Sequence, residues 1–398
     1  MHILQVHNSY RQRGGEDTVV AADARILRSA GHVVTQYIVP NPTKGFETGM
    51  RLGLSLWNPT AGLRFRRQLE AAKPDIVHIH NTWFSLTPSV AYEARRAGVP
   101  VVMTLHNYRL SCANGQFFRN GSTCTACLSG SAFNGLLHRC YQHSFAASAL
   151  AAANTGIHRQ LNTWTKNVDR FLCLSEFARA LFVEAGIPEE KLHVRHNCVA
   201  DPGERPVPAS KSQRLAYIGR LAGEKGVRGL LEAWRLTRVE GTELLVVGDG
   251  PEREALKAMR VPGVLFTGPM NHQGVLETLG SVRCLLFPSL WFEGEPMIVV
   301  EALAAGTPVL ASNLGGVPEL LGGGSAGWLT KAGDITAWRR SLENLSHNAD
   351  IDAKSRAARD RYLACHTLST GLKCLVDSYS SVGLVTAESN RADYDRRV

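Results

Sequence analysis

A diphosphate site is predicted in the segment PSLWFEGEPMIVVEALAAGTPVLAS, which follows a short apolar run ending at Pro288. A helix is predicted to begin near Pro296, because proline is favoured in the first helical turn. The backbone N–H groups of that turn, near Met297 and Ile298, have no partner within the helix, and such groups bind anions. The start of this helix is therefore a ready site for a diphosphate.

Two carboxylates, Glu293 and Glu301, lie on either side of this helix start. Glu301 falls in the second turn of the predicted helix and could accept hydrogen bonds from ribose hydroxyls. Glu293 lies in the preceding loop and could accept them from a sugar. Two glutamates at this spacing, taken alone, are more often exposed surface acids, so the flanking residues have to decide between the two interpretations.

A loop earlier in the chain supplies positive charge. In LAYIGRLAGEKGVRGLLEAW an apolar run gives way to a loop with Gly219, Arg220 and Lys225. A guanidinium fork and an ammonium can together neutralise a diphosphate as negative charge builds on a leaving group. Farther on, VVGDGPE places Gly248 and Gly250 in a turn after another apolar run. Surface cations on a mobile loop and a plain glycine turn are the alternative interpretations.

Short runs rich in Val, Ile and Leu alternate with helical patterns along the chain, which is typical of parallel α/β sheets. The pattern occurs twice. Strands are predicted at residues 3–6, 33–39, 76–79, 101–105, 171–174 and 192–194, and again at 215–218, 244–247, 264–266, 284–287 and 309–311. The predicted fold class is α/β, with two Rossmann-like doubly wound domains. Such sheets bind ligands at the carboxyl ends of their strands, so we expect the domains to face one another across a shared cleft.

The length of 398 residues also favours two domains of similar size. A proline-rich, charged segment without apolar periodicity predicts a linker at residues 201–212. It separates an N-terminal domain, residues 1–200, from a C-terminal domain, residues 213–365. A helix at about 366–385 is expected to pack back on the first domain, and the polar residues 387–398 are expected to form a disordered tail.

The stretch from Arg214 to Glu319 closely resembles the donor site of the family 4 retaining glycosyltransferases, which have the GT-B fold. The resemblance implies that Glu293 contacts the transferred sugar of a UDP- or GDP-sugar donor and that Glu301 contacts its ribose. It also implies that Arg220 and Lys225 hold the diphosphate and that the turn with Gly248 and Gly250 forms the loop on the nucleotide side.

The amino-terminal half extends this resemblance. Gly14 and Gly15 resemble the family's glycine-rich loop after the first strand, where glycine lets the backbone approach a ligand. His106 matches a family histidine that faces the donor sugar at the end of the fourth strand. The predicted catalytic residues are therefore His106, Arg220, Lys225 and Glu293. His78 and His80 are predicted to be packing or cleft-lining residues.

Glu295 departs from the family pattern, which usually has an apolar or aromatic residue at this position. A carboxylate beside a diphosphate would repel it unless the side chain is turned away. The two Asp-x-Asp pairs, Asp350/Asp352 and Asp393/Asp395, fall in a helical segment and in the tail. Neither is placed to hold a metal ion on a diphosphate, so catalysis is predicted to need no cofactor and no divalent ion.

Four of the nine cysteines lie close together in the sequence. Cys112, Cys124, Cys127 and Cys140 include a Cys-x2-Cys pair, and this spacing fits a tetrahedral structural zinc site. Buried reduced thiols are the alternative interpretation. A disulfide framework is not expected, because a cytosolic compartment keeps thiols reduced.

The net charge of +9 is compatible with an acidic partner or with a basic exterior that has none. No nucleic-acid recognition motif is present, so nucleic acid is not an expected partner. We expect a cytoplasmic protein, because neither a signal peptide nor an apolar run of bilayer length is apparent. Residues 44–67 mix aromatic, aliphatic and basic groups, so they could lie on the inner face of an anionic membrane or form an ordinary helix that covers the core.

The sequence thus predicts a retaining glycosyltransferase that moves a sugar from a UDP- or GDP-sugar to a hydroxyl of a saccharide or lipid-linked saccharide. Its expected role is cell-surface polysaccharide or glycolipid assembly. A GT-B epimerase or phosphorylase, or a sugar-nucleotide-binding protein without turnover, are the alternatives.

Overall fold

The protein, seen here in a computed structural model, is described over residues 1–9, 14–42, 53–237, 241–346 and 350–395. Its contacts divide the chain into two compact units. The first unit contains residues 1–117, 124–195 and 371–398, and the second contains residues 118–123 and 196–370. The unit boundary between Arg195 and His196 lies five residues before the segment that predicted a linker.

The first unit is built on a six-stranded parallel sheet. Its strands are β1 (His2–Ser9), β2 (Val33–Pro40), β3 (Ile76–Asn81), β4 (Val101–Leu105), β7 (Arg170–Cys173) and β8 (Leu192–Val194). Their order in the sheet is β2-β1-β3-β4-β7-β8. A short hairpin, β5 (Phe118–Arg119) with β6 (Ser122–Thr123), lies between β4 and β7 in the chain.

The helices of the first half begin with α1, which carries a stripe of buried apolar side chains. Val19, Val20, Ile26 and Leu27 are buried on this helix, as its periodicity requires. The helices are α1 (Gly15–Ser29), α2 (Pro59–Ala72), α3 (Ser89–Arg96), α4 (Asn134–Leu137), α5 (Phe145–Gln160), α6 (Thr163–Asn167) and α7 (Glu176–Glu184), with a 3-10 turn at Glu189–Lys191.

The second unit has another six-stranded parallel sheet. Its strands are β9 (Arg214–Ile218), β10 (Glu243–Val247), β11 (Val264–Gly268), β12 (Cys284–Phe287), β13 (Val309–Ser312) and β14 (Gly327–Thr330). Their order in the sheet is β11-β10-β9-β12-β13-β14. Successive residues of the central strands alternate between two apolar cores. Ala216 and Leu285 belong to one core and Leu215 and Leu286 to the other, so both faces of this sheet are covered.

The helices after β9 are α8 (Val227–Leu236), α9 (Arg253–Lys257), α10 (His272–Ser281), α11 (Met297–Ala304), α12 (Val317–Leu320), α13 (Ile335–Ser346), α14 (Ile351–Cys365) and α15 (Leu368–Asp395). The 3-10 turns of this half lie at Ala209–Lys211, Gly223–Lys225 and Gly322–Gly324. No helix in the described part of the chain is both long enough and apolar enough to cross a membrane.

All eleven predicted strands are confirmed, with ends that shift by at most three residues. Strand β14 and the hairpin were not predicted. The β14 sequence, GWLT, is four residues long and has no apolar run, and its place in the sheet comes from pairing with β13. Two-residue strands carry no periodicity that a sequence can reveal.

The segment 201–212 is packed on the second unit. The Arg205 guanidinium donates to the carbonyl of Gly306 at 3.1 Å and to that of Val282 at 2.9 Å. The Ser210 hydroxyl donates to the carboxylate of Asp352 at 2.6 Å, which gives this aspartate a structural partner. The segment predicted as a linker is therefore held by side-chain hydrogen bonds to residues 282, 306 and 352.

The last helix, α15, keeps a helical backbone from Leu368 to Asp395, which includes most of the segment expected to be a tail. From residue 371 onward it belongs to the first unit. There the Tyr379 hydroxyl is 2.7 Å from Nδ1 of His78, and both side chains are buried.

The basic and apolar segment at residues 44–67 is only partly described, since residues 43–52 lie outside the described ranges. Helix α2 packs Phe65 into the core beside Tyr37, with ring centroids 5.6 Å apart. Leu63 and Trp57 are exposed. The described part therefore fits a helix that covers the domain core.

A buried ion pair joins helix α1 to Arg195, the last residue of the first unit's second segment. The Arg195 guanidinium donates to both carboxylate oxygens of Asp23, at 2.9 and 2.5 Å, and each residue is 2% exposed. Burial raises the pKa of the Asp23 carboxyl and the charge of Arg195 opposes this rise. Removal of one partner would leave the other charge buried without compensation.

We predict that Asp23→Ala lowers the free energy of unfolding by about 3–5 kcal/mol, because it strands the Arg195 charge in the core. Urea denaturation followed by circular dichroism measures the change. Glu189→Ala is the control, since it removes an exposed partner of Arg179 in the same unit and should leave the urea midpoint nearly unchanged. Equal midpoints for the two variants would contradict the role given to the buried pair.

Candidate active site

The loop between β12 and α11, residues 288–296, is held by backbone bonds to two other loops of the second unit. The Gly316 N–H donates to the carbonyl of Glu293, and the Leu290 N–H donates to the carbonyl of Glu224, each at 2.8 Å. Gly315 has a φ of +66°, and a Cβ there would lie 2.7 Å from the Glu293 carbonyl oxygen. This close approach requires glycine and explains part of the GGVPE motif.

The Glu293 side chain is the polar centre of this loop. Its Oε1 accepts from Lys225 Nζ at 2.6 Å, from Trp291 Nε1 at 2.7 Å and from the Ser289 hydroxyl at 2.9 Å. Glu293 is only 7% exposed, so these donors replace the water that the carboxylate lost on burial. Lys225 Nζ also lies 5.2 Å from the Trp291 ring centroid, a cation–π distance.

Arg220, the second predicted cation, is much more exposed. Its side chain retains 61% of its accessible surface, and its guanidinium lies 3.7 Å from Glu224. The backbone is fixed by the Tyr217 hydroxyl, which donates to the Arg220 carbonyl at 2.8 Å. The structure thus brings Lys225 to Glu293, and it leaves the Arg220 side chain at the surface.

Glu301 is buried in the second turn of α11, where it is 8% exposed. Burial raises the pKa of its carboxyl to about 7. The exposed His272 side chain lies beside it, with Nδ1 3.6 Å from the Glu301 carboxylate. A buried carboxyl with so little compensation is suited to accept hydrogen bonds from a ligand.

Helix α11 begins with Met297 and has Pro296 at its N-cap position, one residue before the first helical turn. Pro296 offers no side-chain cap, and the first backbone N–H groups of a helix lack intrahelical partners. The N–H groups of Met297 and Ile298 thus lie in the segment that connects Glu293 to Glu301.

Gly219, Gly248 and Gly250 lie where the loops after β9 and β10 cross. A Cβ at Gly248 would lie 2.0 Å from the Gly219 carbonyl oxygen, and one at Gly250 would lie 2.3 Å from that of Leu221. The backbone approach between these loops therefore requires glycine, whether or not a nucleotide also contacts the turn.

Glu295 is held by residues that precede the second sheet in the chain. Its carboxylate accepts a bond from His196 Nδ1 at 2.7 Å and another from the Asn197 N–H, and its carbonyl accepts from Asn197 Nδ2 at 2.9 Å. Burial lowers the pKa of His196, but the hydrogen bond and charge of Glu295 outweigh this and leave it above its ordinary value. A carboxylate was expected to repel a diphosphate unless it was turned away, and these bonds give the Glu295 carboxylate partners of its own.

In the first unit, Gly14 caps helix α1 and Gly15 is its first residue. The Gly14 N–H donates to the Asp17 carboxylate at 2.8 Å, which is one of the two bonds of a capping box, and Gly14 has no side chain to make the other. Residues 10–13 of the predicted glycine-rich loop lie outside the described ranges, so the part of this loop that we describe is the helix start.

His106 follows strand β4 and belongs to a row of histidines. Its Nε2 is 3.1 Å from Nδ1 of His80, and the two rings stack with centroids 5.4 Å apart. His78 lies beside His80, with centroids 4.1 Å apart, and is fully buried. Burial, followed by nearby positive charge, lowers the pKa of all three imidazoles, so they are neutral at physiological pH.

A concave surface with a cavity volume of about 40 Å³ opens beside this row within the first unit. It lies at the carboxyl ends of β3 and β4, where parallel sheets bind ligands. Its lining combines imidazole, amide, guanidinium and indole groups, from His80, His106, Asn107, Arg109, Trp83 and Asn154 among others.

The four clustered cysteines lie in the connection between β4 and α5. Cys112 and Cys127 are buried, and Cys124 and Cys140 are half-buried. In the described part of the chain, two other groups bring three metal-binding atoms within 4.8 Å of one another: Asp23 with His78 and His80, and His196 with Glu295 and His366. The cysteines are not among these groups.

Several residues of the site were missed by sequence reasoning. Ser289 and Trp291 hold the Glu293 carboxylate, and His196 and Asn197 hold Glu295. The first two lie within the donor motif, so their hydrogen-bonding groups were a usable signal. The other two are almost a hundred residues from Glu295, and no local pattern joins them.

Two family models together match most of the chain. Residues 204–362 match the model of glycosyl transferases group 1, and residues 14–198 match the glycosyl transferase 4-like domain. Each match falls largely on one of the two parallel-sheet regions.

Relatives with assigned functions are transferases. The 2-deoxystreptamine N-acetyl-D-glucosaminyltransferase of Streptomyces fradiae is 28% identical over 308 residues, which are 72% of this chain and 66% of that protein. The phosphatidyl-myo-inositol mannosyltransferase of Mycobacterium leprae is 25% identical over 91% of this chain and 85% of its own length.

The solved structures include a similar Anabaena protein, HepE, in complex with UDP and glucose. It superposes with a TM-score of 0.68 at 17% identity, covering 96% of this chain and all of that one. This likeness concerns the fold, which is GT-B, with two parallel-sheet α/β domains. With its glycosyl transferase 4-like N-terminal domain and its group 1 C-terminal domain, the chain belongs to the group 1 glycosyltransferase family.

Proposed function

We propose that this glycosyltransferase moves a sugar from a UDP- or GDP-sugar to a hydroxyl acceptor with retention of the anomeric configuration. The observation that carries the proposal is the buried Glu293 carboxylate, paired with Lys225 and placed one loop before the uncapped start of α11. Surface acids do not have three donors on one oxygen at 7% exposure, so the surface alternative for Glu293 fails.

The donor would be held by charge and by hydrogen bonds of the second unit. The first-turn N–H groups of α11 and the cations Arg220 and Lys225 would bind the diphosphate, and Glu301 would accept the ribose hydroxyls. Lys225 is restrained by Glu293, so it can stabilise the leaving phosphate with little reorganisation. Arg220 is exposed and would have to be ordered by the donor.

The reaction would proceed on one face of the sugar. The bond between the anomeric carbon and the diphosphate oxygen breaks, and the acceptor oxygen bonds to that carbon from the same side. The acceptor proton passes to the departing phosphate oxygen. The protein contributes position and charge neutralisation rather than a covalent nucleophile, and the cations take the role that a divalent ion has in other transferases.

The acceptor would be a saccharide or a lipid-linked saccharide, used in cell-surface polysaccharide or glycolipid assembly. The concave surface of the first unit beside His106 offers imidazole, amide and indole groups, which could hydrogen-bond to and stack against a saccharide. One relative is named for transfer to phosphatidyl-myo-inositol, a lipid acceptor. Contact with a membrane surface is not part of the proposal, because the described part of α2 packs on the core.

We predict that a panel of nucleotide sugars will contain one UDP- or GDP-sugar that raises the melting temperature and is turned over in the presence of EDTA. The donor stabilises the native state by mass action, and no step needs a divalent ion. NMR of the product should give the same anomeric configuration as the donor. Inversion, or turnover that returns only with added magnesium or manganese, would contradict the mechanism. Tight donor binding without transfer to any extract-derived acceptor would favour the binding-protein alternative.

We predict that Lys225→Ala and Glu293→Gln each lower kcat by about 100-fold or more, because Lys225 would neutralise the leaving phosphate and Glu293 would hold both Lys225 and the transferred sugar. Donor affinity should fall less than kcat for Glu293→Gln. Since the two groups act as a unit, the double variant should be little worse than either single variant. Lys331→Ala is the matched control, with a side chain that is 80% exposed. If the activation free energies lost in the two single variants add up in the double variant, Lys225 and Glu293 would act independently and the proposed unit would be contradicted.

We predict that donor affinity depends on pH through Glu301, whose carboxyl has a pKa of about 7. The ionised carboxylate can accept from the ribose hydroxyls with both oxygens, whereas the protonated carboxyl is a weaker acceptor and one of its oxygens is itself a donor. The folded pKa is raised, so the ionised fraction grows as pH rises through 7, and the affinity measured by calorimetry should be about tenfold higher at pH 8 than at pH 6.

The intact nucleotide sugar is the right ligand for this titration, because free UDP has a phosphate that titrates in the same range. Glu301→Gln should bind weakly with no slope between pH 6 and 8. His272→Gln should keep the slope, since the His272 side chain, 67% exposed, only neighbours the carboxylate. A slope that persists in Glu301→Gln would assign the titration to another group.

A further inference from the structure

The connection between β4 and α5, residues 106–144, gathers four of the chain's nine cysteines. Within it, the regular structure consists of the hairpin β5–β6 and the four-residue helix α4. A connection of this length with so few backbone ladders is uncommon in a compact domain unless something else holds it. Donor transfer in the second unit makes no use of these cysteines.

Cys127 is the centre of the group. Burial raises the pKa of its thiol to about 11, and Cys112, Cys140 and Cys124 add smaller contributions in the same direction. The other three sulfur atoms therefore lie within electrostatic reach of Cys127, although they come from positions up to 28 residues apart in the chain. Cys112 and Cys127 are each 7% exposed.

The backbone around these residues is fixed by hydrogen bonds. The Asn134 side-chain amide donates to the Ala126 carbonyl at 2.8 Å, and a Cβ at Gly135 would lie 2.6 Å from Cβ of Ala113, the residue after Cys112. The Cys140 N–H donates to the Gly135 carbonyl at 2.9 Å, so residues 134 and 135 lie beside the chain around Cys112, Cys127 and Cys140. The Cys124 N–H donates to the Phe117 carbonyl at 2.7 Å, across the base of the hairpin.

Two arginines direct positive charge at the same place. Arg159 donates to the carbonyls of Cys127 and Leu128, at 3.0 and 3.2 Å. Arg109 donates to the carbonyls of Ala113 and Asn114, at 3.3 and 3.4 Å, immediately after Cys112. Both guanidinium groups are thus bonded to the backbone beside Cys112 and Cys127, where they would also offset negative charge on thiolates.

We propose that Cys112, Cys124, Cys127 and Cys140 bind one structural zinc ion as four thiolates. Zinc takes tetrahedral sulfur ligands, and a Cys-x2-Cys pair after a hairpin is a common half of such a site. Binding displaces four protons and leaves a site of charge −2, which Arg109 and Arg159 offset. No three of these sulfurs, all of them in described residues, lie within 4.8 Å of one another in the structure, whereas Zn–S bonds of about 2.3 Å would hold four of them closer together. The half-buried Cys124 and Cys140 would therefore move toward Cys127 on binding.

The test is the metal content of the full chain, purified without chelators. We expect about one zinc per chain in the wild type and less than about a tenth of that in Cys127→Ser. Three thiolates cannot complete the tetrahedral coordination of a structural zinc site. Cys365→Ser is the matched control, since Cys365 is a half-buried cysteine at the end of α14 and should leave the zinc content unchanged.

If Cys127→Ser does not fold, measurements on the wild-type protein still test the zinc proposal. A mercurial thiol reagent should release the zinc, measured with a metal indicator, only as four thiols react. Protein grown with cobalt should show the visible bands of a tetrahedral thiolate site. Less than about half a zinc per chain, not restored by added zinc, would overturn the proposal.

Two further outcomes would also overturn it. Iron with broad visible absorption would mean an iron–sulfur cluster. Zinc that persists in Cys127→Ser but is lost in His366→Gln would place the ion at His196, Glu295 and His366. Neither outcome bears on sugar transfer, so the zinc proposal and the proposed function fail independently.

Discussion

The ion pair between Lys225 and Glu293 is the interaction on which the second unit's site depends. A carboxylate at 7% exposure needs donors, and those donors come from the loop after β9 and from its own loop after β12. The two loops leave strands that are neighbours in the sheet. Because one charge holds both, the cation that would neutralise a leaving phosphate and the loop that precedes α11 are positioned together.

The strands and the donor segment could be predicted because their signals are local. Apolar runs located all eleven predicted strands, and the motif from Pro288 to Glu319 located the helix start and the two glutamates. What could not be predicted depends on partners far away in the chain. Strand β14 forms by pairing with β13, and the ordered segment 201–212 is held by Val282, Gly306 and Asp352.

Glu295 illustrates the same limit within the motif. From the sequence it was an extra negative charge next to a diphosphate site. In the structure its burial is compensated by His196 and the Asn197 amide groups, so it fixes the loop instead of repelling the ligand. The glycines at 248 and 250 are similar, because the sequence indicated a ligand contact and the structure gives a backbone crossing that is sufficient to require them.

Arg195 and His196 are adjacent in the chain, yet they are anchored in different units. The Arg195 side chain is committed to Asp23 and that of His196 to Glu295, with no residue between them to absorb a change of length. Anyone who recombines acceptor-side and donor-side halves of related transferases would naturally cut in the proline-rich stretch after residue 200. Such a chimaera would pair a foreign His196 and Asn197 with the native Glu295. A junction directly after Arg195 would instead transfer each half with its own anchor.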